Sequence, residues 1–530
     1  MQRNSVFKAW VPDWAVKATL IFCLTPSMML LGLYNSNVTY AASYLDVQLE
    51  DMQFAMNITY GVLMATIIIE NRLFRYFSTR NYLIGIYISI AIVLCLSAYT
   101  HNFFQFILLR IADGILMALP GIPLRSLLLS RFKSKDAIII VYSFFYGLLL
   151  ISSTLTMNII VWMLDNFSWA YMAYTAALCQ LLALGLILLT FNNERHVRKF
   201  PLYQIDWSSY ILLLTITISG TYFFVYGEKK YWFQSTEIVI AGIVTLIGSA
   251  LFILKQLNMK RPAFDLNVFK VADLRIGLGV FLIFYLSRST LNICHSTMNR
   301  IWNWEQIHVV HVQYINVAGI ITGLVISGIA LARKLPLRFN LMFGFALLVV
   351  YHLWFTFLFV PDVSLQQIAI PYFLQGMGVG SIFIPLVLFT LSAVPDAQIV
   401  SGGLIAVLGR FGGTVLGFSF LQNAQVILQR KHYLKMQQFV SPESMNTQDR
   451  LTQLTQSFQL KGYSVDQSYQ LAIKQLDTAI AKQSFLLTNM EIYTFVGIAL
   501  IAVVILLMFN QHLKESMNLF KKRWWGFVLR

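Results

Sequence analysis

Charged side chains are scarce in this sequence. Only 12% of its 530 residues are Asp, Glu, Lys or Arg, 58% are hydrophobic and the mean hydropathy is +0.67. A soluble domain carries about a quarter of its residues as charges, so this composition excludes an ordinary soluble protein. It predicts an all-α polytopic membrane protein.

Cysteines are also few, and the motifs of nucleotide-driven or catalytic proteins are missing. The four cysteines show no paired spacing that would indicate a disulfide framework or a zinc site, and we interpret them as packing residues. No P-loop is present, which argues against direct ATP drive. The sequence contains no nucleophile with an adjacent base, so we expect no enzymatic activity and no cofactor.

One metal-like spacing occurs, at Glu305, His308 and His311. Residues at positions i, i+3 and i+6 spread over about 120° of a helix, which fits a single metal ion poorly. We interpret these three as solvated residues at the outer opening of the helix bundle and expect no metal.

The sequence has instead a series of long apolar runs. About 20 apolar residues cross the hydrocarbon core as a helix, and about fourteen runs are long enough. The predicted spans are residues 17–41, 52–70, 82–100, 103–128, 137–163, 169–191, 208–227, 236–254, 275–296, 311–331, 338–360, 366–392, 398–423 and 491–510. The first run follows basic residues but has no convincing cleavage site, so we interpret it as a retained helix.

The positive charges that give the net charge of +16 are unevenly distributed among the loops. With the N-terminus assigned to the cytoplasm, the basic loop residues fall mostly on the inner side, and the first outer loop is acidic. This positive-inside bias predicts a multi-pass protein with both termini in the cytoplasm. Basic loops of this kind bind anionic lipid, and a nucleic-acid partner is not indicated.

One long segment, about residues 424–490, is polar, and the helix count places it outside the membrane. Within it, Tyr469, Ala472, Ile473, Leu476, Ala479 and Ile480 recur at intervals of three and four. This pattern predicts an amphipathic helix that needs a partner surface. The partner is either the outer face of the protein's own helix bundle or another protein.

Several motifs resemble the EmrB/QacA-type drug:proton antiporters of the major facilitator superfamily, nearest to the EmrB group. The fourth span reads Leu109-Arg110-Ile111-Ala112-Asp113-Gly114 and continues as Ile122-Pro123-Leu124-Arg125-Ser126-Leu127-Leu128-Leu129, similar to the family's R-x-x-Q-G and the I-P-L run of that group. Further family motifs follow in the same order along the chain. They are Ile384-Pro385-Leu386, Gly412-Gly413 and the long outer loop. The resemblance covers nearly the whole chain.

The resemblance implies the major facilitator fold with about 14 helices. Residues 1–200 would form an N-terminal six-helix half, residues 201–262 an inserted helix pair with its linkers, and residues 263–530 a C-terminal half including the loop at about 424–490. EmrB relatives pass substrate to a periplasmic adaptor and an outer-membrane channel. The resemblance therefore implies the same partners and a bacterial inner membrane for this chain.

The family's second inner loop, G-x-L-x-D-R-x-G-R-R, is replaced here by residues 71–80, which lack both glycines and the aspartate. That motif supplies a latch between charge and helix dipole. Glu70, with Arg75 and Arg80, is a candidate for the ionic part of this role. The alternative is that Glu70 is an ordinary interfacial residue.

Two further family motifs are altered. The fifth span reads Thr156-Met157-Asn158-Ile159-Ile160-Val161 in place of G-P-x-x-x-G-G, so close packing through glycine is not expected there. The first span has Asn35 and Asn37 where relatives have L-D-x-T. Asn35 cannot titrate, and we expect both asparagines to line the substrate cavity.

Asp113 is the candidate for proton coupling. Counted from Asn102 at 1.5 Å per residue, it lies about 16 Å deep in a core about 30 Å thick. An ionisable group at that depth needs a partner or a wet cavity, and Arg110, three residues earlier, lies on the same helical face. Pro120-Gly121-Ile122-Pro123 beyond it predicts a kink. The alternative is a fixed structural ion pair.

Two more arginines, Arg288 and Arg410, lie deep within predicted spans. With Arg110, the spans contain three deep cations, whereas Asp113 is the one clear acid. This excess of positive charge favours an anionic or neutral amphipathic substrate over a lipophilic cation. His295 shares a helical face with Arg288, and Gln375 precedes Gly376 in a Q-G pair resembling the family's. We expect Arg288, His295, Gln375 and Arg410 to line the cavity.

These observations predict an inner-membrane secondary active exporter of small amphipathic compounds, driven by proton antiport. Proton-coupled import is the nearest alternative within transport. A second alternative is a non-transporting sensor or scaffold that has lost the motor motifs, which the altered second loop and fifth span favour. The deep Arg110 and Asp113 favour transport.

Overall fold

The fold is described by a computed structural model, which covers all residues except 1–5, 35–37, 133–136, 197–198, 200, 260–261, 263, 396–397, 441–443 and 510–530. The described residues form α-helices joined by turns and short 3₁₀ segments. The helices are α1 (Asp13–Met29), α2 (Val38–Tyr44), α3 (Leu49–Tyr76), α4 (Thr79–Ala98), α5 (Phe103–Ala118), α6 (Gly121–Leu129), α7 (Ala137–Asn166), α8 (Trp169–Thr190), α9 (Trp207–Tyr226), α10 (Thr236–Asn258), α11 (Ala272–Arg300), α12 (Gln306–Ala332), α13 (Leu337–Thr356), α14 (Leu365–Ser392), α15 (Ile399–Gln437), α16 (Met445–Gln459) and α17 (Val465–Phe509).

Within the described residues, 13 helical segments are long and apolar enough to cross a membrane. They correspond in order to the second to fourteenth predicted spans. The predicted all-α polytopic fold is therefore confirmed.

The first span differs from its prediction as one continuous helix over residues 17–41. Helix α1 ends at Met29, a 3₁₀ turn covers Leu30–Gly32, and α2 begins at Val38. Pro26 lies inside α1 and cannot donate a backbone hydrogen bond, which weakens the end of this helix. Gly32 lies so close to α7 that a Cβ on it would approach the Cα of Ser153 to 2.6 Å.

The predicted kink in the fourth span is confirmed. Helix α5 ends at Ala118 and α6 begins at Gly121, with Pro120 at the N-cap of α6. At its other end α5 is capped by Asn102, whose side-chain oxygen accepts a hydrogen bond from the backbone N–H of Phe104 at 2.8 Å. This cap fixes the start of the helix that carries Arg110 and Asp113.

The described helices pack mainly within two groups. Helices α1–α8 pack largely on one another, as do α11–α17, and the groups meet where α7 contacts α12 and α3 contacts α15. Helices α9 and α10 pair with each other, and α9 lies along α3. The division of the chain into halves at about residues 200 and 263 stays a prediction.

A partly buried ion pair joins α9 to α10. Asp206, the N-cap of α9, contacts the Lys255 amine of α10 at 2.8 Å. Burial opposes ionisation of Asp206, but hydrogen bonds from Lys255 and Ser209 outweigh it and lower the pKa of Asp206 to about 2. The pair is thus held together at this end of the membrane.

The polar segment of residues 424–490 is mostly helical and continuous with the membrane helices. Helix α15 has 39 residues and α17 has 45, far more than the roughly 20 needed to span the core. Helix α16 packs on α17 between them, and the Tyr433 hydroxyl donates to Asp477. We call residues 424–490 the projecting hairpin and the end of the bundle that carries it the hairpin end.

Candidate functional site

A cavity of about 730 Å³ lies between the two helix groups. Its walls come from α3, α7, α11, α12, α14 and α15. The lining runs from the middle of these helices to their hairpin-end termini, for example from Ile320 to Gln306 along α12. The cavity therefore occupies the hairpin-end half of the bundle.

The wall is polar and carries cations but no carboxylate. Of its 32 lining residues, Arg288, Arg300 and Arg410 are positively charged, and neither Asp nor Glu is among them. Eight lining side chains are carboxamides: Gln53, Asn57, Asn292, Asn299, Gln306, Gln313, Asn316 and Gln375. This composition favours an anionic or neutral ligand over a cation.

Two of these arginines lie at the deep end of the cavity. Arg288 of α11 is half-buried and donates from Nη2 to the backbone carbonyl of Leu150 at 3.1 Å. Arg410 of α15 is buried and lies over the rings of Tyr146 and Phe383, with its Cζ 5.9 and 5.8 Å from their centroids. The two cations act on each other and on the phenol of Tyr285. They form a positive floor.

The predicted residues His295 and Gln375 lie higher on the same wall. His295 Nε2 is hydrogen-bonded to the Tyr372 hydroxyl at 2.7 Å. Asn316 donates to the backbone carbonyl of Tyr372 at 2.9 Å and to Gln375 Oε1 at 2.6 Å. The amide orientation of Gln375 is thereby fixed, and its Nε2 has no partner among the described residues. Nε2 of Gln313 likewise has no hydrogen-bond partner among the described residues.

An aromatic layer lies beneath the arginines. Tyr146 of α7 packs on Phe383 of α14 with ring centroids 4.9 Å apart, and Phe281 and Phe284 of α11 pack on the same ring at 6.2 and 5.9 Å. All four side chains are buried. In the described part of the chain, the cavity thus lies open toward the hairpin end and closed on the other side.

The structure places Arg110 and Asp113 together but outside the cavity. They form a buried ion pair with exposures of 2% and 0%. Arg110 also lies over the ring of Tyr34, its Cζ 4.1 Å from the centroid. Helix α3 stands between this pair and the cavity: Tyr60 lines the cavity, while the Thr59 hydroxyl donates to the Arg110 carbonyl at 3.2 Å.

Glu70, the proposed latch residue, is fully buried within the protein. It interacts electrostatically with Arg125 of α6, whose guanidinium also acts on Tyr146 beneath the cavity floor. Arg75 and Arg80 lie half-buried at the facing ends of α3 and α4. Arg125 thus lies within electrostatic range of Glu70 without forming an ion pair with it, a neighbour that the sequence did not suggest.

Close helix packing occurs away from the altered fifth-span motif. A Cβ built on Gly319 or Gly323 of α12 would overlap the backbone carbonyls of Phe373 and Met377 in α14, and Gly376 and Gly380 of α14 are equally tight against α12. Each helix thus carries a G-x-x-x-G spacing, a signal that the sequence contained and that went unused.

The remaining predicted residues lie elsewhere. Asn35 and Asn37 lie outside the described residues. His308 and His311 are exposed on α12, and the described residues contain no group of three metal-ligating side chains. Sequence reasoning missed Gln313, Asn316 and Tyr372, because a polar residue on an otherwise apolar helix does not reveal whether it faces a cavity or a neighbouring helix.

No family model matches the chain, but individual proteins do. The multidrug export protein EmrB of Escherichia coli K12 is 24% identical over 234 residues, or 43% of this chain and 44% of that protein. The matched part is thus less than half of EmrB. The probable multidrug resistance protein EmrY of the same strain is 23% identical over 449 residues, covering 81% of this chain and 82% of that protein. The fatty acid resistance protein FarB of Neisseria gonorrhoeae is 24% identical over 284 residues, covering 52% of this chain and 53% of that protein.

Two solved structures have a similar fold. A POT family transporter in complex with a thioalcohol-conjugated peptide superposes with a TM-score of 0.58 at 16% identity, covering 78% of this chain and 91% of that one. A bacterial homologue of the human lysosomal transporter Spinster, inward-facing and unoccupied, superposes with a TM-score of 0.52 at 9% identity, covering 96% and 98%. At these identities the likeness concerns the fold.

Proposed function

We propose that this chain, an EmrB-like member of the major facilitator superfamily, is a secondary active exporter of small amphipathic compounds in a bacterial inner membrane. The observation that carries the proposal is the cavity, which ends at mid-bundle and bears Arg288 and Arg410 but no acid. An anionic or neutral substrate fits this floor. The names of EmrB and FarB, as proteins of multidrug export and fatty acid resistance, support export of amphipathic compounds.

The proposed substrate site comprises Arg288, His295, Gln375 and Arg410, to which the sequence adds Asn35 and Asn37. The arginines would hold the polar head, because a guanidinium offers several donors to an anion and keeps its charge. Apolar lining residues such as Met157 and Phe418 offer contacts for the rest of the molecule.

The proposed coupling site is the Arg110–Asp113 pair, with proton antiport as the drive. The pair is remote from the bound substrate, so proton and substrate would compete through a change of conformation. Helix α3 is the proposed link, because Thr59 contacts the pair and Tyr60 the cavity. Glu70, Arg75 and Arg80 are proposed to stabilise one conformation as a latch.

The proposed partners are a periplasmic adaptor of the membrane-fusion type and an outer-membrane channel. We place both termini in the cytoplasm, so that the projecting hairpin lies in the periplasm and is the docking element. Its surface carries exposed apolar side chains, among them Leu460 at 90% exposure and Val465 at 67%. Leu460 and Val465 flank the turn between α16 and α17, where an adaptor would contact them.

The decisive experiment measures proton release from purified, weakly buffered protein on addition of anionic, neutral and cationic amphiphiles. Release with anionic or neutral ligands that disappears in Asp113→Asn would support antiport through this acid. Binding without release, equal in both proteins, would contradict antiport through Asp113 and favour a facilitator or a sensor. Release with cations alone would contradict the substrate class.

A further inference from the structure

Two residues of the cavity wall carry a buried amide donor that has no hydrogen-bond partner among the described residues. The donors are Nε2 of Gln313 in α12 and Nε2 of Gln375 in α14, whose residues are 4% and 0% exposed. Buried polar groups in native proteins are normally hydrogen-bonded, since an unsatisfied donor destabilises the fold. Both side chains line the cavity, so the cavity is the nearest source of an acceptor, and each Nε2, which is buried in this conformation, has to turn toward the water or ligand that it binds.

The orientation of Gln375 is set by its neighbours. Its Oε1 accepts a hydrogen bond from Asn316 Nδ2 at 2.6 Å, and the same Asn316 amide donates to the backbone carbonyl of Tyr372. Turning the Gln375 amide over would place two NH₂ groups against each other. The end that remains for a ligand is therefore the donor end, which requires an acceptor.

The deep end of the cavity also favours a negatively charged acceptor. Arg288 and Arg410 have only donors, lie within electrostatic reach of each other, and face no carboxylate on the cavity wall. The cavity thus offers donors at two places, the arginine floor and the Gln313–Gln375 wall. A ligand with one anionic group and an otherwise hydrocarbon surface would satisfy the floor and leave both amides without partner or water.

We propose that the substrate is an oxygen-rich anion, which presents its charged group to Arg288 and Arg410 and a second acceptor oxygen to Gln313 and Gln375. Hydroxy acids, keto acids and dicarboxylates belong to this class. The proposal rests on the exporter function proposed above and narrows its substrates to anions that carry a second polar group.

The composition of the rest of the wall agrees. Sites for apolar ligands are lined mainly by hydrophobic side chains with few polar groups. Here eight of the 32 lining side chains are carboxamides, and Ser152, Ser153, Thr154, Ser289, Ser296 and Thr414 add hydroxyls. Such a wall can bind several ligand oxygens at once.

Three six-carbon probes test the proposal by separating charge from hydroxyl groups. Gluconate has both, hexanoate has the charge alone, and sorbitol has hydroxyls alone. Binding is measured by calorimetry on the full-length protein in lipid nanodiscs. Gluconate is expected to bind at least about tenfold more tightly than either other probe, because two more donors are satisfied.

Variants assign the effect to residues. Gln313→Leu removes one of the two donors and should reduce the affinity for gluconate by about threefold while leaving hexanoate unchanged, whereas Arg410→Gln should weaken both anions. Removing an unsatisfied donor does not cost stability, so Gln313→Leu should fold normally. Gln459→Leu, at an exposed position of α16, is the matched control and should change nothing.

Three results would overturn the proposal: hexanoate bound as tightly as gluconate, an unchanged gluconate preference in Gln313→Leu, or no binding of either anion. Failure of the exporter function is read separately, from vesicles. Vesicles that export simple amphipathic anions without any preference for oxygen-rich ones would retain the exporter and reject this narrower class. If the protein binds gluconate tightly but transports no solute, the exporter function is contradicted, whereas the proposed class of ligand is supported.

Discussion

Thr59 and Tyr60, adjacent on α3, face two different sites. The Thr59 hydroxyl shares its proton between the carbonyls of Ala55 and Arg110, at 3.0 and 3.2 Å, whereas Tyr60 lines the cavity. Gly114 of α5 lies against the same turn of α3, since a Cβ on it would come within 2.7 Å of the Thr59 carbonyl. A movement of α3 that reshapes the cavity therefore also displaces the Arg110–Asp113 pair.

Asp113→Asn is expected to abolish ligand-triggered proton release while changing ligand affinity less than about threefold, because Asp113 does not line the cavity. The neutral side chain leaves Arg110 buried without its counter-ion, so stability should fall by about 3–5 kcal/mol at most. Fluorescence of a pH dye and ligand calorimetry on the same samples measure both effects. Asp273→Asn, a buried acid of α11 remote from the cavity wall, is the matched control and should retain release.

Arg410→Gln and Arg288→Gln should each weaken binding of an amphipathic anion by about tenfold or more. The reason is that each guanidinium contributes a charge-assisted contact worth roughly 1.5–3 kcal/mol to a buried anion. Equilibrium binding in nanodiscs at fixed ionic strength checks this result. Arg430→Gln, exposed at the base of the projecting hairpin, is the control. Anion affinity that survives both substitutions would show that the positive floor does not bind the substrate.

Tyr146 and Phe383 should act as a closure that must open during transport. In a variant without native cysteines, a short bifunctional reagent that joins Tyr146→Cys to Phe383→Cys is expected to stop transport, because it ties α7 to α14 beneath the cavity. Ligand binding from the hairpin end should persist, since the cavity is already open there. Flux in vesicles before and after reduction measures the effect, and unchanged flux in the cross-linked protein would contradict it.

The contact between α12 and α14 should tolerate no side chain at its glycines. Gly323→Leu or Gly380→Leu would drive a side chain into the facing backbone, and overpacking of this kind costs about 1–3 kcal/mol or more. We expect lower thermal stability and yield, measured by fluorescence-detected size exclusion. Gly279→Leu, on α11 with no atom near its built Cβ, is the control and should behave as the native protein.

Deleting residues 430–480 should abolish cross-linking to a periplasmic adaptor while the membrane part still binds ligand. The cavity wall ends at Phe418 along α15, short of the deleted segment, so ligand affinity should change little. Leu460→Glu is the milder variant, because it places a charge at an exposed apolar position without altering the fold. If both variants form the adaptor complex as well as the native protein does, the projecting hairpin is not the docking element.

The fold could be predicted from sequence because apolar runs of about 20 residues have few other solutions. The break in the first span went unpredicted: Pro26 is visible in the sequence, but the close approach of Gly32 to α7 is not. Asp113 was found by depth along its helix, and Arg110 by helical spacing. Gln313 stayed hidden because its role comes from the missing partner of its amide. Glu70 was expected to act with Arg75 and Arg80, whereas its electrostatic interaction with Arg125 depends on the packing of α6 against α3, which the sequence does not reveal.

The length of α15 and α17 has a mechanical consequence. Both helices run unbroken from the membrane into the projecting hairpin, so neither has a hinge at the membrane surface. The part of α17 between Val465 and Met490 is about 39 Å long at 1.5 Å per residue, and a tilt of about 10° would move its far end by about 7 Å. A small tilt of the membrane helices is thus amplified at the tip of the projecting hairpin. A protein bound to this tip would be displaced each time the helix bundle changes conformation.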